Sequence, residues 1–268
     1  MQTHISRIDI TKILFLDIET VPQYASYDEV PEEERELWEH KSKRLQTDAS
    51  MLRQEVIERS RNVQQPDSAT DASTGSATGE LYKKAGIFAE FGKIICISVA
   101  FVVQKNDNLQ VRVRSFAGHD EKQLLEDFMA LVRKYFNTEK TYFCAHNGIE
   151  FDFPYLARRT LINGIAIPRS LDARGKKPWE LPYIDTLDLW RFGDYKNYTS
   201  LKLLTHIFAI PTPKDDIDGS KVCDVYWSEN DLQRIVTYCQ KDVIAILQLF
   251  RKYRCEELIP EDAITIVI

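Results

Sequence analysis

The chain has 268 residues, 44% of them hydrophobic and 28% charged, with a formal net charge of -6 at pH 7. That length holds one sizeable α/β domain with a full core, and no apolar run reaches membrane-spanning length, which argues against a membrane partner. The negative charge counts against a strongly basic nucleic-acid binder, although bound divalent cations reverse the local field of an acidic cluster. The opening MQTHISRIDITK lacks the basic-then-apolar order of a signal peptide. The cysteines, Cys96, Cys144, Cys223, Cys239 and Cys255, are odd in number and form no CxxC pair, so they read as reduced thiols of a cytoplasmic protein.

Taken in chain order, Ile13 to Ile18 (ILFLDI) predicts a buried strand. From Pro31 to about Arg61, Leu37, Trp38, Leu45, Leu52, Val56 and Ile57 recur at roughly helical spacing. Gln64 to Glu80 (QQPDSATDASTGSATGE) has no apolar periodicity and reads as a flexible insert, at about 62–80, within a single domain spanning 1–268. Lys93–Val103 predicts a central strand, Lys105–Asn108 a turn, and Leu109–Phe116 its hairpin partner. Asp120 followed by Gln123 resembles a capping box and opens a helix through Val132. Thr141–Ala145 predicts another short strand. Helices are expected over Phe153–Asn163, Ser200–Phe208 and Glu229–Arg254, the last capped by Ser228. The apolar C-terminus, AITIVI, fits either a strand within this chain or an edge that pairs with a partner. The element order implies a mixed sheet flanked by helices.

Three segments carry candidate chemistry. Asp17 and Glu19 are two apart, so on a strand they share one face. Two carboxylates inside an apolar strand repel each other and are costly to desolvate unless a hard cation binds them; if the strand stops near Leu16, both are simply solvated. In His146-Asn147-Gly148-Ile149-Glu150-Phe151-Asp152, Gly148 permits a tight turn and Asp152 opens a helix, where an acid is favourable for electrostatic reasons alone. Tyr238 and Asp242 share a helix face at i and i+4. Asp242 lies among Val236, Val243, Ile244, Ile246 and Leu247, so its carboxylate either faces solvent or needs a partner.

Together and in this order, D-x-E, N-x₄-D and Y-x₃-D resemble the three exonuclease motifs of the DEDD superfamily, in its tyrosine subclass, DEDDy. The segments LFLDIETVP, AGIFAEFGKIICISVAF, AHNGIEFDFPYLARR, YIDTLDLWRF and YCQKDVIAILQLF look like the stand-alone bacterial 3'-5' exonucleases related to the proofreading domain of family B DNA polymerases. The resemblance implies a ribonuclease H-like α/β fold. It implies two divalent metal ions, Mg²⁺ or Mn²⁺, held by Asp17, Glu19, Asp152 and Asp242, with Tyr238 orienting the attacking water. The implied substrate is the 3' end of single-stranded nucleic acid, DNA favoured, with RNA trimming or an inactive scaffold of the same fold as alternatives. Ile18, Thr20, Val21, Asn147 and Phe151 are the implied substrate contacts; His146 is positional. Arg158–Arg159, Arg174, Lys176 and Lys177 are candidate phosphate contacts. Lys83, Lys84 and Lys93 with Tyr82, Phe88 and Phe91 form a basic and aromatic candidate, and Asp185 and Asp188 read as capping acids.

Overall fold

The structure, a computed structural model, describes residues 5–44, 79, 81–106, 108–196, 198–211 and 217–267. All but Gly79 of the polar stretch Gln64–Glu80, and the helical pattern beyond residue 44, lie outside them. The chain divides into two compact units, one of Met1–Thr20 with Lys93–Ile268 and one of Val21–Gly92.

The larger unit is built on a six-stranded sheet in the order β5-β4-β1-β2-β3-β6. Its strands are β1 (Ile13–Pro22), β2 (Gly92–Lys105), β3 (Asn108–Ala117), β4 (Tyr142–Ala145), β5 (Tyr183–Asp185) and β6 (Ile264–Val267). β1 opens with four consecutive buried apolar residues, Ile13 to Leu16, the pattern of a strand covered on both faces. It runs parallel to β4, with Phe15 opposite Cys144, and β4 runs parallel to β5, with Ala145 opposite Asp185. β2 and β3 form an antiparallel hairpin that closes at Lys105 opposite Asn108. β6 lies parallel to β3, Val111 opposite Ile264, so the apolar C-terminus completes this chain's own sheet. The sheet is mixed and flanked by helices, the α/β class that the sequence implied.

Helix α1 covers residues 32–44 of the smaller unit. The others are α2 (Glu121–Tyr135), α3 (Asp152–Ile162), α4 (Thr186–Arg191), α5 (Leu201–Ile207), α6 (Val222–Trp227) and α7 (Leu232–Tyr253). On α7, Val243, Ile246, Leu247 and Phe250 recur at helical spacing and join Ile13, Phe15, Val111, Val113 and Cys144 in the main core. Phe250 meets Phe15 edge-on at 5.6 Å. On the same strand as Val111 and Val113, Phe116 points the other way and packs edge-on against Phe128 of α2 at 5.7 Å. Alternation along β3 therefore puts α2 and α7 on opposite faces of the sheet.

Local signals explain most element ends. Asp120 caps α2, accepting the Gln123 backbone N–H, and Ser200 caps α5 through Leu203. The last helix corrects the expectation: it starts at Leu232, capped by Asp231 through the Arg234 N–H, while Ser228 terminates the short helix α6. Both α4 and α6 are six residues long, too short to show a helical period in the sequence.

The smaller unit has its own core of Val30, Trp38, Tyr82 and Ala85 with Tyr24, Tyr27, Phe88 and Phe91 around it. The Trp38 ring sits edge-on to Tyr82 at 5.6 Å and to Phe91 at 5.3 Å. Tyr82, Phe88 and Phe91, read in sequence as part of a basic and aromatic surface, are packing residues here.

Candidate active site

β4 stops at Ala145, one residue past the β1 pairing of Phe15 with Cys144, so Asp17 and Glu19 lie on the length of β1 that runs on past that end. This is the carboxyl edge of the sheet, where open α/β folds place their ligands. Ile18 between them is buried, as is Glu19. One oxygen of Asp17, Oδ2, is buried without a hydrogen-bond partner.

The loop from β4 into α3 brings Asp152 to the same edge. Asn147 adopts φ 61, a left-handed conformation that asparagine tolerates better than most side chains. Gly148 is needed for space: a Cβ there would stand 2.4 Å from the Cβ of Ala145. The sequence points to Gly148 for a tight turn; here the glycine supplies space, and the positive φ belongs to Asn147. Asp185 holds the loop from beneath. Its carboxylate accepts the backbone N–H groups of Asn147 at 2.9 Å and Ile149 at 3.0 Å while capping α4 through Leu187 at 2.9 Å. His146 is likewise positional, with Nδ1 2.9 Å from the Thr186 hydroxyl and Nε2 3.1 Å from the Thr199 carbonyl. Phe151 N–H then donates to Asn147 O and Phe153 N–H to Gly148 O, and α3 begins at Asp152.

α7 supplies the remaining residues. Its apolar face fixes the helix on the sheet, which turns Tyr238, Cys239 and Asp242 toward β1. The Cys239 Sγ lies 3.4 Å from the Asp17 carbonyl oxygen, and the ligand atoms of Asp17, Glu19 and Cys239 all fall within 4.8 Å of one another.

The electrostatics record the crowding. Burial pushes the Asp17 carboxyl well above the usual range, and the charges of Glu19, Asp242 and Asp152 push it further. Glu19 is raised in the same way, by burial and then by Asp242 among others. Asp152 is pushed up to about 7 by burial and Asp185, against the backbone N–H groups of Asp152 itself and Ile18, which favour its ionised form. The Tyr238 hydroxyl is held above its ordinary value by burial, by the charges of Asp242, Glu19 and Asp17, and by its hydrogen bond to Asp242. Burial raises the Cys239 thiol, which donates to the Asp17 carbonyl. What remains for a ligand is a set of carboxylate oxygens, one of them buried and unpartnered. That set suits a hard divalent cation.

The substrate contacts expected from sequence fall in several environments. Ile18 is buried, so its main chain is what it offers, and its N–H is engaged by Asp152. Val21 is fully buried in the smaller unit, its main chain pressed against Gly86. Thr20 and Phe151 are half-buried. Asn147 Oδ1 is a buried acceptor without a partner. Arg159 is not available to phosphate. It is buried, and its guanidinium grips Glu121 at 2.8 and 2.5 Å. Arg174 is engaged by Asp172, and Lys93 lies over the rings of Tyr226 and Trp227.

Two comparisons bear on this arrangement. A family described as predicted 3'-5' exonucleases related to the exonuclease domain of PolB matches residues 87–258, a span that holds Asn147, Asp152, Tyr238 and Asp242 and begins after Asp17 and Glu19. The family B DNA polymerase from the hyperthermophilic archaeon Pyrobaculum calidifontis is similar in structure, with a TM-score of 0.50 and 15% sequence identity, over 90% of this chain. This chain spans only 24% of that polymerase chain. At that identity the likeness speaks for the fold, ribonuclease H-like, and the sequence match, which covers well over half of the residues, speaks for the family. The chain belongs to the family of predicted 3'-5' exonucleases related to the exonuclease domain of PolB.

Proposed function

We propose that this protein removes nucleotides one at a time from the 3' end of single-stranded nucleic acid, DNA in preference to RNA, by metal-dependent hydrolysis. The observation that carries the reading is the meeting of four carboxylates from three separate segments, β1, α3 and α7. Three of them are held above the ordinary range by burial, Asp17 and Glu19 also by the other acids of the cluster.

Asp17, Glu19, Asp152 and Asp242 would hold two Mg²⁺ or Mn²⁺ ions, which when bound neutralise the cluster, activate water and stabilise charge on the leaving oxygen. The chain's own residues do the positioning. Tyr238 stays a neutral phenol throughout the working pH range, so it acts as a hydrogen-bond donor and not as a general base. Its hydroxyl, bonded to Asp242, is placed to orient a water beside that carboxylate. Asn147, with its unpartnered Oδ1, and the main chain near Thr20 are the proposed contacts for the terminal nucleotide, with Phe151 beside them. A cytoplasmic location belongs to the same reading, since the cysteines are all free. Among the described residues no helix is long and apolar enough to cross a membrane.

The test is shortening of 5'-labelled DNA and RNA oligonucleotides of one sequence, with Mg²⁺, with Mn²⁺ and with EDTA, against Asp17→Ala. A ladder from the 3' end that needs metal, is lost in Asp17→Ala and is stronger on DNA supports the proposal. Equal activity in Asp17→Ala overturns the site assignment, and preference for the RNA strand overturns the substrate.

A further inference from the structure

Among the described residues, three exposed aromatic side chains lie close together in sequence on the turn that follows α4. Phe192 is 92% exposed, Tyr195 69% and Tyr198 65%. Single exposed aromatics are ordinary, but three within seven residues are not a solvated face. Phe192 is also held at φ 46, followed by Gly193 at φ 90. A bulky side chain in the left-handed region is strained, and here the strain presents the ring to solvent instead of to a core. Strained backbone residues cluster at active sites and ligand clamps.

The turn is tied at both ends to the loop that delivers Asp152. On one side Arg191 pairs with Glu150, two residues before Asp152, at 3.3 Å. The same guanidinium covers the Tyr195 ring at 5.7 Å. On the other side the His146 ring contacts the Tyr198 ring at 6.4 Å and bonds the Thr199 carbonyl at 3.1 Å. The charges of Asp152 and Asp185 both reach the Tyr198 hydroxyl, which puts that ring within electrostatic reach of the acids. The segment from His146 to Glu150 thus braces the aromatic turn as well as the catalytic acid.

We propose that Phe192, Tyr195 and Tyr198 form a stacking ledge for the bases of the single strand behind its terminal nucleotide. This deepens the reading of the site as a 3' exonuclease and rests on it for the direction of the strand. Ring faces accept any base, so the ledge favours unpaired strands without reading sequence. A paired strand keeps its bases stacked inside the duplex and cannot use it. His146, on this view, is a positioning residue for the ledge, and Arg191 keeps Tyr195 in place.

The experiment separates base stacking from backbone attraction. Binding of a fluorescent oligothymidylate and of an abasic oligomer of equal length is followed by anisotropy, with Ca²⁺ in place of Mg²⁺ so that strands stay intact. Wild-type protein is expected to prefer the base-bearing strand. Phe192→Ala and Tyr195→Ala should each weaken oligothymidylate binding about 5- to 150-fold, the range of one lost base stack, and the double variant should lose most of the preference for bases, with Tyr198 alone remaining. Tyr195→Phe keeps the ring and should keep the preference. If the double variant binds oligothymidylate like wild type, or loses the same factor on the abasic strand, the ledge is overturned. A wild-type protein that prefers bases, loses that preference in the variants and still cuts no strand with Mg²⁺ or Mn²⁺ keeps the ledge and removes the exonuclease reading.

Discussion

Asp17→Asn is expected to stabilise the metal-free protein while destroying its response to metal. The Asp17 and Glu19 carboxylate oxygens lie within 4.8 Å. Two full charges at that distance repel by about 3 kcal/mol at an effective dielectric constant of 20. Burial first, and neighbouring acids second, raise the Asp17, Glu19 and Asp152 carboxyls, so the folded protein avoids part of this by holding protons. A carboxyl raised on folding favours the native state at low pH, where both states are protonated or the native state holds its proton. That contribution is lost as pH rises from the unfolded value near 4 through the folded value, about 7 for Asp152. At pH 8 without metal, Asn at position 17 should therefore gain about 1–3 kcal/mol, from relieved repulsion and from a donor for the crowded oxygens. For a chain of this size that is roughly 2–4 °C of thermal midpoint per kcal/mol. At pH 5 the gain should shrink toward zero. Wild type should rise with added Mg²⁺, more at pH 8 than at pH 5, and Asp17→Asn should not respond. The assay is thermal unfolding at both pH values in EDTA and in Mg²⁺. A variant less stable than wild type at pH 8 in EDTA, with its Mg²⁺ response intact, would refute the reasoning.

Other substitutions probe separate links. Tyr238→Phe keeps the ring and removes only the hydroxyl bonded to Asp242; single-turnover cleavage should slow by at most about 100-fold and still need metal, and an unchanged rate would leave Tyr238 as packing alone. Glu121→Ala removes the carboxylate that grips buried Arg159 and also frees the Ile94 N–H bonded at 2.7 Å; denaturant titration should show a loss of about 3–5 kcal/mol, partly recovered in Glu121→Met with Arg159→Met. Gly148→Ala forces its new Cβ toward Ala145, and a cost of about 1–3 kcal/mol with a larger fall in cleavage than in stability would mark the loop as part of the site; wild-type cleavage would argue that the turn relaxes freely.

The candidate site was legible because its geometry is local. Two acids at i and i+2 on a strand, or Tyr238 and Asp242 at i and i+4 on a helix, must share a face whatever the rest of the chain does. The long periodic elements were legible for the same reason. What escaped depends on tertiary partners. Arg159 looks like a surface cation beside Arg158, and only Glu121, 38 residues away in sequence, makes it a buried strut. Ser228 and Asp231 are both sound caps on paper; the three-residue shift was decided by where α6 ends against α7. The C-terminal strand could not be assigned until β3 was seen to have a free edge for it.

The places where the sequence breaks its own patterning argue most directly for function. β1 is apolar and buried on either side of Asp17 and Glu19, α7 is apolar around Asp242, and α3 begins with a buried acid. Each is a local fault if taken alone, since an acid set into an apolar element is costly to desolvate. The fold makes all of them coincide at one edge of one sheet. Flanking residues such as Phe15, Leu16, Val243 and Ile246 are fully buried and anchor the backbone there in the core. Asp185 shows the contrast: itself buried, it is supplied with backbone N–H groups and organises the loop. Asp17 keeps an oxygen without a partner. The difference between those two carboxylates, one satisfied within the chain and one left for something outside it, separates the scaffold from the site.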